Sequence, residues 1–339
     1  MDFNLDETQQ DVRRLATDVL AKEAGDGAAG KAGDGTGDRA AEERLRRAGL
    51  LSLCVPEAAG GAGLGPVEMA VVLREVGARA AAVPALPVLA STLALARHGS
   101  PEQQRRHAGG LATAVREPGG ALADPPRTAA RRDGDGWRLT GRKTGVLHPG
   151  PALVTADEGL FLVEAPAAAP EYTSTGEPAA TLTLDGIPAE RVAGPEAAAD
   201  ARRLYTAAIA AQASGVLAGA LELTTGYIRT RRQFGRALAE FQAVTMQIAD
   251  VYIAGRALDV AMWSAVWRLG AGLPAEEDLA LAAYHAAEAV KALHTCQHLH
   301  GGLGLDVTYP LHRYFAQAKH LSHLLGGADA QLDLIGALV

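Results

Sequence analysis

The chain has little of what staples, stacks or ligates. Only two cysteines, Cys54 and Cys296, occur among its 339 residues, and neither belongs to a Cys-x-x-Cys or Cys/His spacing. This excludes a disulfide framework and a structural zinc site, and it leads us to expect a reducing, cytoplasmic setting. Aromatic residues make up 4% of a chain that is 48% hydrophobic, so alanine, leucine and valine must carry the core. Alanine and leucine rank high in helix propensity, which favours helices. An excess of positive charge is also missing. The formal net charge is −7 and the pI near 5.8, which argues against a nucleic-acid-binding face. The opening MDFNLDETQQDVRRL places acids where a secretory signal needs cations and an apolar run. No stretch of about 18 uninterrupted apolar residues reads as a membrane span.

What is present falls into three expected parts: a helical domain over residues 1–112, a β module over 113–198 and a helical bundle over 199–339. Residues 6–22 show apolar positions at helical spacing (Val12, Leu15, Val19, Leu20) and predict an amphipathic first helix. Residues 25–38, rich in Gly and Asp, predict a flexible loop. A helix from Ala40 to Ala48 is expected to stop at Gly49, and Pro66 to open another after a glycine-rich turn. One or two more follow over residues 85–107, broken near Pro101. GDGWRLTGRKTGVL, ALVTA, GLFLVEA and ATLTLDGI then read as short strands separated by Gly and Pro. From Asp200 onward four long helices are predicted with short connections. In one of them Phe241, Val244, Ile248, Val251, Leu258, Met262, Val266 and Leu269 form a stripe that reads as ordinary core.

The organising stretch is Leu299 to Tyr314, LHGGLGLDVTYPLHRY. Its Gly-Gly-x-Gly turn permits positive φ or close approach of a ligand to the backbone. A helix begins beside it at Pro310, and a helix start next to a glycine turn suits anionic cofactor groups. A plain interhelical turn accounts for the pattern equally well.

Four stretches taken together resemble the acyl-CoA dehydrogenase family over nearly the whole chain. They are GLLSLCVPEAAGGAGLGPVEMAVVLREVG, GDGWRLTGRKT, TTGYIRTRRQFGRALAEFQAV and HLHGGLGLDVTYPLHRYFAQAK. The resemblance implies a mainly α fold with a small β-barrel-like middle domain and a C-terminal four-helix bundle. It also implies FAD, an acyl-CoA substrate and an electron-transfer flavoprotein as acceptor. In that chemistry a carboxylate takes the α-proton and the flavin takes a hydride from the β-carbon. The base must lie within hydrogen-bonding reach of the acidic C–H, and the developing enolate needs aligned donors.

By the same resemblance, the adenine-diphosphate half of FAD crosses a subunit interface. Arg231, Phe234, Gly235 and Gln242 would meet it from one side, and His298, Gly301, Gly302 and Gly304 from the other. Arginine suits a diphosphate because its planar fork bonds two oxygens at once. The alternative for Arg229, Arg231 and Arg232 is simple complementation of a helix C-terminus, and for His298 an unligated interface histidine.

Other expected parts are missing. Gly145 and Leu147 stand where the resemblance implies a tryptophan and a threonine facing the flavin ring. Thr308 and Tyr205 occupy the two positions at which it implies a catalytic glutamate, and a hydroxyl's pKa is far too high to replace a carboxylate. Asp306 is read as a turn-capping residue, and Glu222 as lying on a different turn of its helix. No catalytic residue and no metal site is therefore assigned. The resulting expectation is the base-lacking subunit of a heteromeric (α2β2) steroid-CoA dehydrogenase of the actinobacterial kind, sharing FAD with a second family subunit that carries the glutamate. The alternatives are an active homotetramer using Asp306 and a non-enzymatic scaffold relative.

Overall fold

The computed structural model describes residues 3–21 and 38–338; the loop expected over residues 25–38 lies, apart from Asp38, outside them. The N-terminal part comprises α1 (Glu7–Ala21), α2 (Arg39–Arg47), α3 (Pro66–Ala78), α4 (Ala85–His98) and α5 (Pro101–Arg106). Local chemistry explains each boundary. Asp38 accepts a hydrogen bond from the Ala41 N–H at the start of α2, and Gly49 turns left-handed (φ 75°) just beyond its end. Pro66 opens α3, where its missing N–H costs nothing, and the Glu68 carboxylate accepts from the Gly65 N–H. Ser100 and Gln103 cap α5 reciprocally.

The middle of the chain forms one curled sheet. Its strands are β1 (Ala112–Ala114), β2 (Ala129–Asp133), β3 (Gly136–Leu147), β4 (Ala152–Ala156), β5 (Gly159–Val163), β6 (Ala167–Glu171) and β7 (Ala179–Ala193), ordered β1-β4-β5-β7-β3-β2 with β6 on β7. Residues 179–189 of β7 pair with β3, its first five also with β6 and its far end with β5, so this long strand bends the sheet around Leu139, Val146, Phe161 and Leu182. Strands β1, β2 and β6 have weak alternation in the sequence and were not expected individually.

The C-terminal part holds α6 (Pro195–Thr230), the small hairpin β8 (Arg232–Gln233) and β9 (Arg236–Ala237), α7 (Gln242–Gly270), α8 (Glu276–His300), α9 (Leu311–Leu324) and α10 (Gly327–Leu338). Helix α6 starts five residues before the expected Asp200. Helix α10 adds to the four helices read from the sequence. Among the described residues α6 alone is long and apolar enough to cross a membrane, but 83% of its apolar window is buried inside the protein. It is the central helix. Glycines let α3 lie directly on it: a Cβ at Gly215 would stand 1.9 Å from the Arg74 carbonyl oxygen, and one at Gly77 2.1 Å from that of Gln212. The α7 stripe is core only in part. Val251, Leu258, Met262, Val266 and Leu269 are buried, whereas Phe241, Val244 and Ile248 are half-buried. Among the described residues the first turns of α7 are covered only in part.

Candidate cofactor surface and a closed cleft

Two groups of candidate residues project from the C-terminal end of the bundle. The first surrounds the β8–β9 hairpin, where α6 ends because Arg231 turns extended (φ −71°, ψ 123°). The Arg231 N–H donates to the Tyr227 carbonyl and its own carbonyl accepts from Leu238, so the backbone is held. The guanidinium is exposed and pairs with no carboxylate among the described residues. The neighbouring Gly235 is left-handed (φ 81°), and so is Phe234 (φ 52°), an unfavourable conformation for a bulky residue. The Phe234 ring is 91% exposed and touches Phe241 edge-on at 6.4 Å. Gln242, the first residue of α7, is exposed as well.

The second group follows α8. His298 is exposed, and Gly301 to Leu305 form one short 3-10 turn. Its glycines answer to different constraints. Gly301 adopts φ 60°, ψ −140°, a region closed to other residues. At Gly304 a Cβ would meet the Gln297 carbonyl at 2.7 Å, so the fold itself requires glycine. Around Gly302 there is open space within 4 Å. The described residues give no steric reason for a glycine there. The two groups are joined at their roots by Tyr227, which stacks on His300.

Thr308 lies on the outer side of this turn. Its N–H and its hydroxyl both donate to Asp306 Oδ1, at 2.8 and 2.7 Å. These two bonds hold the exposed Asp306 carboxyl below the usual carboxylate range. Asp306 is therefore a turn cap whose proton affinity has been lowered, the opposite of what a general base needs. Glu222 is exposed on α6. Tyr205 is fully buried on the same helix, its hydroxyl pushed up by burial and within the electrostatic reach of Arg116 and Glu177. Of the two positions at which a glutamate was expected, only that of Tyr205 faces the interior.

That interior is the contact between the sheet and the bundle, and it is closed. Leu147, Thr175 and Glu177 meet Gln212, Gln317, His320 and Leu321 around a cavity of about 10 Å³. Such a space holds roughly one water, whereas cofactor and ligand pockets run to about 300–1,000 Å³. A Cβ at Gly145 would already stand 2.8 Å from an Arg116 guanidinium nitrogen and 3.7 Å from Leu324. Gln212 Oε1, Gln317 Oε1 and His320 Nε2 are buried here without a hydrogen-bonding partner among the described residues. Burial pulls His320 down, so it stands neutral. These lining residues escaped sequence reasoning because they come from β3, the loop before β7, α6 and α9, with no shared motif.

The loop behind the cleft is pinned by an ion pair that the sequence did not reveal. Lys143, fully buried on β3, donates to Glu117 Oε1 at 2.7 Å and to Thr155 at 3.1 Å. Glu117 also accepts from the Thr128 N–H and hydroxyl and from the Arg127 N–H. Burial pulls Lys143 down to about 8 against the pull of Glu117. Burial acts on Glu117 too, but Lys143 and the other donors outweigh it and hold the carboxyl at about 2. The two shifts weigh the pair oppositely because the ammonium is the more deeply buried partner. Both groups are charged at neutral pH.

Comparison with known proteins agrees with this architecture. Residues 6–114 match the family model described as acyl-CoA dehydrogenase, N-terminal domain, and residues 200–339 match its C-terminal domain. Acyl-CoA dehydrogenase FadE28 of Mycobacterium tuberculosis is 38% identical over 99% of this chain and 98% of its own length. Among solved structures, a variant of the Tcur3481-Tcur3483 steroid ACAD superposes with a TM-score of 0.90 at 38% identity, covering 98% of this chain and 97% of that one. The ChsE4-ChsE5 complex from Mycobacterium tuberculosis follows with a TM-score of 0.88 at 35% identity, covering 99% and 98%.

Proposed function

Because the chain belongs to the acyl-CoA dehydrogenase family, we propose that it is the flavin-sharing, base-lacking subunit of a heteromeric acyl-CoA dehydrogenase. The carrying observation is the contrast between its two candidate flavin regions. The surface expected to meet the adenine-diphosphate from outside the chain is exposed, with Arg231 unpaired among the described residues and Gly302 in open space. The place expected to hold the ring within the chain is filled by Leu147, Leu324, Arg116 and His320. Loss is thus confined to the parts one subunit would use alone.

In this reading the Arg231 fork bonds diphosphate oxygens, Gln242 and His298 donate to neighbouring polar groups, and the Gly301–Gly304 turn lets the cofactor approach the backbone. FAD, when bound, supplies the hydride acceptor. The second family subunit supplies the glutamate that takes the α-proton, since neither Thr308 nor Tyr205 can. A steroid acyl-CoA with a shortened side chain is the proposed substrate, supported by the likeness to a protein described as a steroid ACAD. An electron-transfer flavoprotein is the proposed acceptor.

The test is a flavin count. Purified alone the chain is expected to be colourless. Co-expressed with the family member encoded beside it, it is expected to yield a yellow complex with about one flavin per heterodimer. Strong flavin occupancy in the isolated chain would overturn this reading, and a colourless complex would favour a scaffold role.

A further inference from the structure

A second space lies away from both candidate flavin regions. It is a pocket of about 190 Å³ that opens to the surface where the segment before α1, helix α1, helix α3 and helix α7 meet. Gln212 faces the closed cleft, whereas Ser214 bonds two residues of this pocket, Arg74 and Asp259. Two residues apart on α6, they point about 200° apart around the helix. The two spaces therefore lie on opposite sides of the central helix. An apolar cavity of about 150 Å³ holds one benzene molecule, so this pocket has room for a small ring with a polar group.

The charges around it specify the polar group. Buried Asp259 accepts from Arg74 through both carboxylate oxygens, at 3.4 and 3.3 Å, from the Ser214 hydroxyl, and from Arg256 at 3.3 Å. One carboxylate thus serves two guanidiniums. Buried Glu75 accepts from the Thr17 hydroxyl at 3.0 Å. Arg13 is exposed and forms no ion pair among the described residues. Three guanidiniums against two carboxylates leave one positive charge over. The rest of the lining includes Phe3, Leu5 and Trp263, so flat apolar surface stands beside that charge. A carboxylate balances a single excess charge and presents two oxygens to a planar fork. A dianionic phosphate would bring its second charge against Glu75 and Asp259, and a wholly apolar body would bury guanidinium N–H groups without partners.

We propose that this pocket is a binding site for a small organic monocarboxylate with a flat apolar body, of the size of phenylacetate. Arg13 and Arg256 bond the carboxylate at the mouth, and Trp263 and Phe3 take the body. Arg74, held by Asp259 and Ser214, stays behind them as fixed positive charge. The site shares no residue with the candidate flavin surfaces, so it does not rest on the proposed function. An occupant also ties the segment before α1 to the bundle, because it touches Phe3 and α7 together.

The test is calorimetric titration of phenylacetate into the full chain, which is expected to show one saturable site with a dissociation constant of about 1 mM or tighter. Arg13→Ala, at an exposed position, should keep the wild-type circular dichroism and bind about tenfold more weakly or worse. Trp263→Leu should weaken binding similarly. If that half-buried change unfolds the chain, Phe3→Ser, at a 50% exposed position, takes its place. Neutral phenylacetamide and inorganic phosphate should each bind about tenfold more weakly than phenylacetate. The absence of saturable binding overturns the proposal, as does equal binding of either control or binding that survives both variants. The titration is repeated on the co-expressed heteromer. Binding lost on assembly would also overturn the site, because the second subunit would then cover it. Failure of the cofactor reading looks different: an Arg231→Ala heteromer would keep its full flavin while these titrations stayed unchanged.

Discussion

Tyr227 stacks on His300 with ring centroids 4.3 Å apart and planes 19° from parallel. The same imidazole bonds the Cys296 carbonyl at 2.8 Å through Nδ1 and meets the Tyr309 hydroxyl at 3.2 Å through Nε2. Burial pulls His300 down, so this ring is neutral and packs as an aromatic. Arg231 follows Tyr227 by four residues and Gly301 follows His300 directly. One contact thus fixes the roots of both candidate cofactor surfaces. Tyr227→Ala should remove about 0.5–1.5 kcal/mol of pair energy in addition to its packing. It should lower both the melting temperature of the isolated chain and flavin retention in the heteromer.

Arg231→Ala should leave the fold intact, because the exposed guanidinium pairs with no carboxylate among the described residues. A hydrogen bond to a charged group is worth about 1.5–3 kcal/mol, so flavin affinity of the heteromer should fall about 10- to 100-fold. Arg231→Lys should recover only part of it, since an ammonium cannot bond two oxygens in a plane. Fluorescence of released flavin during dialysis reads the effect.

Gly302 and Gly304 should separate cofactor effects from folding effects. Gly304→Ala drives a methyl into the Gln297 backbone and should cost about 1–3 kcal/mol in denaturant unfolding. Gly302→Ala meets open space and should unfold like the wild type, yet lose flavin in the heteromer. Normal flavin content in Gly302→Ala would show that no cofactor atom approaches that backbone.

The Glu117–Lys143 pair should limit acid stability. The folded carboxyl titrates at about 2, below the ordinary value of 4.5. Its contribution is therefore present above pH 4.5 and is lost as pH falls through that window towards 2. Glu117→Gln leaves the Lys143 ammonium buried and unpaired, a change that costs about 3–5 kcal/mol in comparable pairs. Unfolding midpoints between pH 7 and 3 should fall for the wild type and vary less for Glu117→Gln.

Tyr205→Glu tests the closed cleft. A carboxylate placed there enters a fully buried site. The isolated variant should lose stability and gain no dehydrogenase activity, because no ring pocket adjoins the new base. Acyl-CoA-dependent dye reduction by that variant alone would contradict the closure.

Much of the fold was legible because its signals are local. Pro66 opening α3, Gly49 ending α2, the break at Pro101 and the end of α8 at Gly301 all reflect backbone restrictions carried by single residues. The weak strands β1, β2 and β6 were not: β1 pairs with β4, far along the chain, while β2 and β6 pair with the next strand but carry little apolar alternation. Helix α10 was missed because Gly326 and Gly327, both left-handed, read as a terminator and gave no sign of a new start. The α7 stripe misled at its first turns. Apolar periodicity shows that a face is covered, but not whether its own chain covers it.

The sequence alone determined the family resemblance, the absence of a glutamate at Thr308 and Tyr205, and the survival of Arg231, Gln242 and the glycine turn. Those are matters of residue type, and chemistry follows from type directly. Only the tertiary structure decided that Thr308 faces outward while Tyr205 faces in. It also decided that Gly304 serves the fold while Gly302 does not, and that the space beside Leu147 is filled. These depend on atoms brought together from distant parts of the chain, and no local pattern encodes such distances.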